Sequence, residues 1–133
     1  MMHYKKTYKI SWAQFEVCNS NPQEAFEKMC RWIFNDFFFC GRALLHSDPN
    51  NPGVEVIPVL EPQSSKHISF QAKYFSALDY SQIMHSAEKA VKYYAGQLDV
   101  IYLYCNKDLM YAVIQQPVCL QPESIRHQQF QMR

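Results

Sequence analysis

The chain has 133 residues, 48% of them hydrophobic, with nine Tyr and nine Phe. That is enough for one domain with a real core and far from a disordered composition. A formal net charge of +1 excludes a global electrostatic attraction to nucleic acid, so any such surface has to be local. The five Cys form no Cys-x-x-Cys pair and the five His are scattered, which argues against a disulfide framework or a zinc site and for reduced thiols.

In chain order, Tyr8, Ile10 and Trp12 alternate as in a strand. The basic stretch Met1 to Lys9 lacks the apolar run of a secretory leader, and the longest apolar patch, Phe37 to Cys40, is too short for a bilayer. A cytoplasmic, non-membrane protein is expected. Asn21-Pro22-Gln23-Glu24 is a helix start: Asn21 caps, Pro22 suits the first turn and Glu24 can reach back. Phe26, Met29, Cys30, Ile33 and Phe37 then recur at helical spacing until Gly41.

Ala43 to His46 reads as a short strand, and Asp48 to Gly53 as a turn. Val54 to Leu60, rich in β-branched residues, and His67 to Phe75 read as the two arms of a hairpin. Asp79 opens a second helix with Ile83, Met84, Ala87, Ala90, Val91 and Tyr94 on its apolar face, ending at Gly96. Val100 to Cys105 is a near-continuous apolar run, the pattern of a buried central strand, and completes a βαβ unit. Tyr111 to Ile114 reads as one more strand. From residue 115 onward six Gln and two Pro suggest a linker towards a further domain or partner. The fold class is therefore α/β, a mixed central sheet flanked by helices, with the domain at 1–114 and the Gln/Pro-rich linker at 115–133.

Chemistry concentrates on the expected hairpin. In a strand Gln71 and Lys73 point to one face and Ala72 to the other. A lysine in an aromatic-rich strand calls for a compensating group. Glu55, itself an ionisable group in the apolar run Gly53-Val54-Glu55-Val56-Ile57, is the natural one. A carboxylate and an amide oxygen are hard ligands of the kind magnesium takes, and a lysine beside them can neutralise a phosphate.

Acid, spacer, then Gln-x-Lys across a hairpin resembles the PD-(D/E)xK nuclease superfamily, in its Mrr-like branch and as found in the N-terminal nuclease domains of antiphage-defence NTPases. The likeness spans roughly residues 22–106. It implies a restriction-endonuclease-like core and a magnesium-dependent deoxyribonuclease, with manganese as the other metal. The substrate implied is DNA, double-stranded rather than single. By the same resemblance Glu55 is the metal carboxylate, Gln71 and the Ala72 carbonyl are further ligands, Lys73 is the catalytic lysine, and Glu27 is the acid lent by the first helix. Gln82 and Lys89 face the substrate, and Lys66, Lys73, Lys89 and Lys92 are available to phosphates.

The sequence departs from the family in two places. Glu55 stands where Asp is usual, and neutral Gln71 leaves the site one negative charge short, so metal affinity should be weak without DNA. An ordinary reading stands beside each assignment. Glu27 can pair with Arg31 at i,i+4, Gln82 can belong to the helix cap, Lys89 can be a solvated lysine, and Glu55–Lys73 can be a surface pair. The resemblance further implies an effector module of a larger antiphage protein, gathered by other domains or by copies of itself. The competing class is an inactive nuclease-like module that binds or assembles on DNA.

Overall fold

The computed structural model describes residues 11–107, 119–124 and 127–131, the last two stretches by their backbone. The elements are α1 (Trp12–Cys18), α2 (Pro22–Phe39), β1 (Val59–Glu61), β2 (Lys66–Lys73), α3 (Tyr80–Tyr93), β3 (Val100–Cys105), β4 (Cys119–Ser124) and β5 (His127–Gln131). The strands form one mixed sheet in the order β1-β2-β3-β5-β4. β2 and β3 are parallel, with Gln71 opposite Leu103 and Lys73 opposite Cys105, so α3 is the crossover of the expected βαβ unit. The other pairs are antiparallel.

Both long helices start where their caps dictate. The Asn21 side chain accepts the Glu24 N–H at 3.2 Å, and Glu24 answers by accepting from the Asn21 side-chain amide at 3.3 Å. Asp79 likewise accepts the Gln82 N–H at 3.1 Å. Each cap satisfies an N–H that the first turn leaves unpaired. α2 packs Phe26, Cys30 and Phe34 on one sheet face, against Ile68, Phe70, Val100 and Tyr104. α3 packs Ile83, Ala87 and Ala90 on the other, against Ile101 and Leu103. The alternation along β3 is that of a strand buried on both sides.

Four sequence expectations change. Trp12 belongs to a helix, capped by Ser11, whose hydroxyl accepts the Gln14 N–H at 3.3 Å; Tyr8 and Ile10 lie outside the described residues, as does the strand expected at Tyr111 to Ile114. Ala43 to His46 is extended but joins no sheet. Its backbone is held by side chains of α2 instead: Asn35 makes two bonds of 3.0 Å to Ala43, and Arg31 donates to the Leu45 carbonyl at 3.4 Å and the Ser47 hydroxyl at 2.6 Å. Val54 to Leu60 is a strand only from Val59 on. Within 115–133, read from composition as a linker, β4 and β5 run as paired strands, because backbone pairing makes no demand on the Gln-rich side chains that suggested a linker.

The irregularity of residues 53–58 has a local cause. Val54 enters the α3-side core and Val56 the α2-side core, although residues two apart in a regular strand share a face. The chain turns between them along the edge of β2 that β1 leaves unpaired. It is fixed there by the Glu55 N–H on the Phe70 carbonyl at 2.8 Å and by the Ser69 hydroxyl on the Val56 carbonyl at 2.6 Å. Gly53, with φ +87°, lets the turn lie directly on α3, since a Cβ there would overlap the Ser86 carbonyl oxygen.

Candidate active site

β1 pairs only with the first part of β2. Beyond Ile68 the edge of β2 is bordered by the irregular segment that carries Glu55. At its carboxyl end, where Lys73 sits, a polar cleft of about 410 Å³ opens between the first turns of α2 and α3. The carboxyl end of a strand in an α/β sheet is where loops and helix starts converge on a ligand. Glu24, Glu27, Asn51, Glu55, Ala72, Lys73 and Gln82 are among its walls.

Glu55 is half-buried at the base of this cleft. One of its carboxylate oxygens accepts the Ala72 N–H at 3.3 Å. Burial and the neighbouring Glu27 carboxylate push its pKa up to about 6, against the smaller opposing pulls of the Ala72 N–H and Lys73. The ordinary pairing of Glu27 with Arg31 does not form, because Arg31 is engaged with residues 45 and 47. The i,i+4 ion pair on α2 is instead Glu24–Lys28, at 3.1 Å and largely exposed.

Lys73 is also half-buried. Its ammonium donates to the Ser86 hydroxyl of α3 at 2.9 Å. Burial lowers its pKa, Glu55 acts in the opposite direction, and Lys89 adds to the lowering. Lys89 is thus close enough to act on the site. Lys66 is not: it begins β2, seven residue steps from Lys73, roughly 23 Å along the strand.

Gln71 departs from the simple picture. Strand alternation does put it on the Lys73 side, but it is fully enclosed and absent from the cleft wall. Neither its amide oxygen nor its amide nitrogen has a hydrogen-bond partner. An oxygen left free of donors suits a cation; its depth does not suit direct contact with substrate. Among the described residues no three Asp, Glu, His or Cys side chains form a metal-holding group. A cation in this cleft would therefore rest on Glu55 and Glu27 with the Ala72 carbonyl, and Gln71 would join only for an ion seated behind the cleft wall. A carboxyl whose pKa is raised by burial and by a neighbouring carboxylate fits that role, since a cation would relieve both effects.

Sequence reasoning missed Asn51 and Ser86. A turn Asn and a mid-helix Ser have too many ordinary roles to stand out; only the fold brings Asn51 to the cleft wall and the Ser86 hydroxyl to Lys73. The four cysteines whose side chains are described, Cys18, Cys30, Cys40 and Cys105, form no disulfide. Among the described residues no helix is long and apolar enough to cross a membrane. No protein-family model matches the chain, and no curated protein matches it.

Proposed function

We propose that this chain is a PD-(D/E)xK-type nuclease domain, restriction-endonuclease-like in its core, that hydrolyses phosphodiester bonds of DNA with magnesium or manganese. The observation that carries the reading is the convergence of Glu55, Glu27 and Lys73 on one polar cleft at the carboxyl end of β2. Glu55 and Glu27 would hold the ion with the Ala72 carbonyl, and the Gln71 oxygen would join them for an ion seated deeper than the cleft wall. The bound ion supplies polarisation of the phosphate and activation of water. Glu55 would bind the ion as a carboxylate, and its contact with the Ala72 N–H fixes its direction. Lys73 brings its positive charge to the phosphate oxygens as negative charge grows on them. Gln82 lines the cleft, and Lys89 would meet the substrate from the same helix.

A net charge of +1 gives little hold on a polyanion. That supports the further reading of a cytoplasmic effector module, placed on DNA by other domains of a larger antiphage-defence protein or by clustering with copies of itself. The enclosure of Gln71 favours a second reading, a nuclease-like module that binds or assembles on DNA without cutting it.

Incubation of the full chain with plasmid and magnesium, beside Lys73→Ala and Glu55→Ala, separates the two. The nuclease reading expects nicking by the wild type and a loss of about 100-fold or more in each variant. Equal nicking by all three removes the activity from these residues. Binding by all three with no nicking selects the second reading.

A further inference from the structure

We propose that Ser86 is a positioning residue for Lys73, holding its ammonium on α3 and so keeping it from collapsing onto the Glu55 carboxylate. The catalytic consequence rests on the nuclease reading above; the geometry does not.

Lys73 ends β2, and its long stem has many rotamers to lose when its head is fixed. Glu55 attracts it, and the simplest outcome in a half-buried cleft would be a direct ion pair. Among the described residues the ion pairs are Glu24–Lys28 and His67–Asp99 instead. The Lys73 ammonium goes to the Ser86 hydroxyl, at 2.9 Å. A pair closed between Lys73 and Glu55 would cancel both charges and leave neither for an ion or a phosphate.

Ser86 is well placed to set this geometry. It lies in the middle of α3, beside the buried Ile83, Ala87 and Ala90, with its hydroxyl turned to Lys73. Its carbonyl side is closed off by Gly53, which no larger residue can replace without overlap. The hydroxyl therefore sits on backbone fixed from two directions. Alanine is the better helix former at an interior position; what serine adds is an acceptor for the lysine.

Ser86→Ala and Ser86→Thr in the full chain test this. The first readout is the proton–nitrogen NMR signal of the Lys73 ammonium, identified by its loss in Lys73→Met. The signal is expected in the wild type, shifted or broadened away in Ser86→Ala, and restored in Ser86→Thr. A Lys73 signal missing from the wild type, or unchanged by Ser86→Ala, overturns the proposal. The second readout is plasmid nicking, where Ser86→Ala should lower kcat roughly tenfold with little change in KM and Ser86→Thr should recover most of it. Unchanged kcat in an active enzyme overturns the positioning role. The expected NMR pattern in a protein that never nicks leaves Ser86 as assigned and removes the nuclease reading.

Discussion

Along the α3-facing side of β2, Ser69 reaches the Val56 carbonyl and Lys73 reaches Ser86, while Gln71 between them has no partner for either end of its amide. Burying an unsatisfied polar group costs about 1–3 kcal/mol. A methionine has similar length and volume and no such cost. Gln71→Met is therefore expected to stabilise the fold by about 1 kcal/mol or more, read as a higher urea midpoint at unchanged slope. Under the nuclease reading the same variant should lose nicking activity, because the amide oxygen completes the ion's neutral ligands. Stabilisation with full activity would show that Gln71 is no ligand. Destabilisation would show that the amide is satisfied after all, and that the residue belongs to the packing.

At the scale of elements, the segment 53–58 decides whether a site exists, because it carries Glu55 to the edge of β2. Its geometry depends on Gly53, whose positive φ and contact with Ser86 admit no Cβ. Gly53→Ala should cost roughly 3 kcal/mol or more, from the strained backbone and the overlap together. Gly41→Ala is the control: φ is +74° but the space around it is open, so about 1 kcal/mol is expected. Equal losses in thermal denaturation would show that the contact with α3 is not what holds the turn. The same segment marks where the sequence stopped being legible. α2 and α3 could be read because Asn21 and Asp79 are caps followed by a 3.6-residue apolar period. β3 could be read because a run such as Val100 to Cys105 fits little else. Val54 to Leu60 carries equally β-prone residues, yet its two buried valines serve opposite cores, a tertiary demand that no local period records. Glu55, Glu27 and Lys73 were legible as charges misplaced among apolar neighbours or as parts of a motif. Ser86 was not, since its role exists only where Lys73 reaches α3.

For the whole molecule, the cleft joins three layers: Glu27 from α2, Glu55 and Lys73 from the sheet edge, and Gln82 from α3. Its charge state is therefore coupled to folding. The Glu55 pKa is raised from 4.5 to about 6 in the fold, so the folded chain holds this proton more tightly than the unfolded one. The stability it brings is fully present below pH 4.5 and is lost as pH rises through about 6, by about 2 kcal/mol at most. Glu55→Gln should flatten that part of the profile. A divalent ion acts in the opposite sense, because it needs the carboxylate free of its proton. With a site of Kd on the order of 1 mM, about 10 mM magnesium stabilises the fold by about 1.4 kcal/mol, a rise in Tm of a few degrees. The rise should be largest above pH 6.5 or so, shrink towards pH 5, and vanish in Glu55→Gln combined with Glu27→Gln. Calcium should reproduce it without supporting cleavage, which separates holding the ion from using it. A magnesium-induced rise that persists in the double variant, or that does not depend on pH between 5 and 7, would place the ion elsewhere and leave Glu55 and Glu27 with no metal to serve.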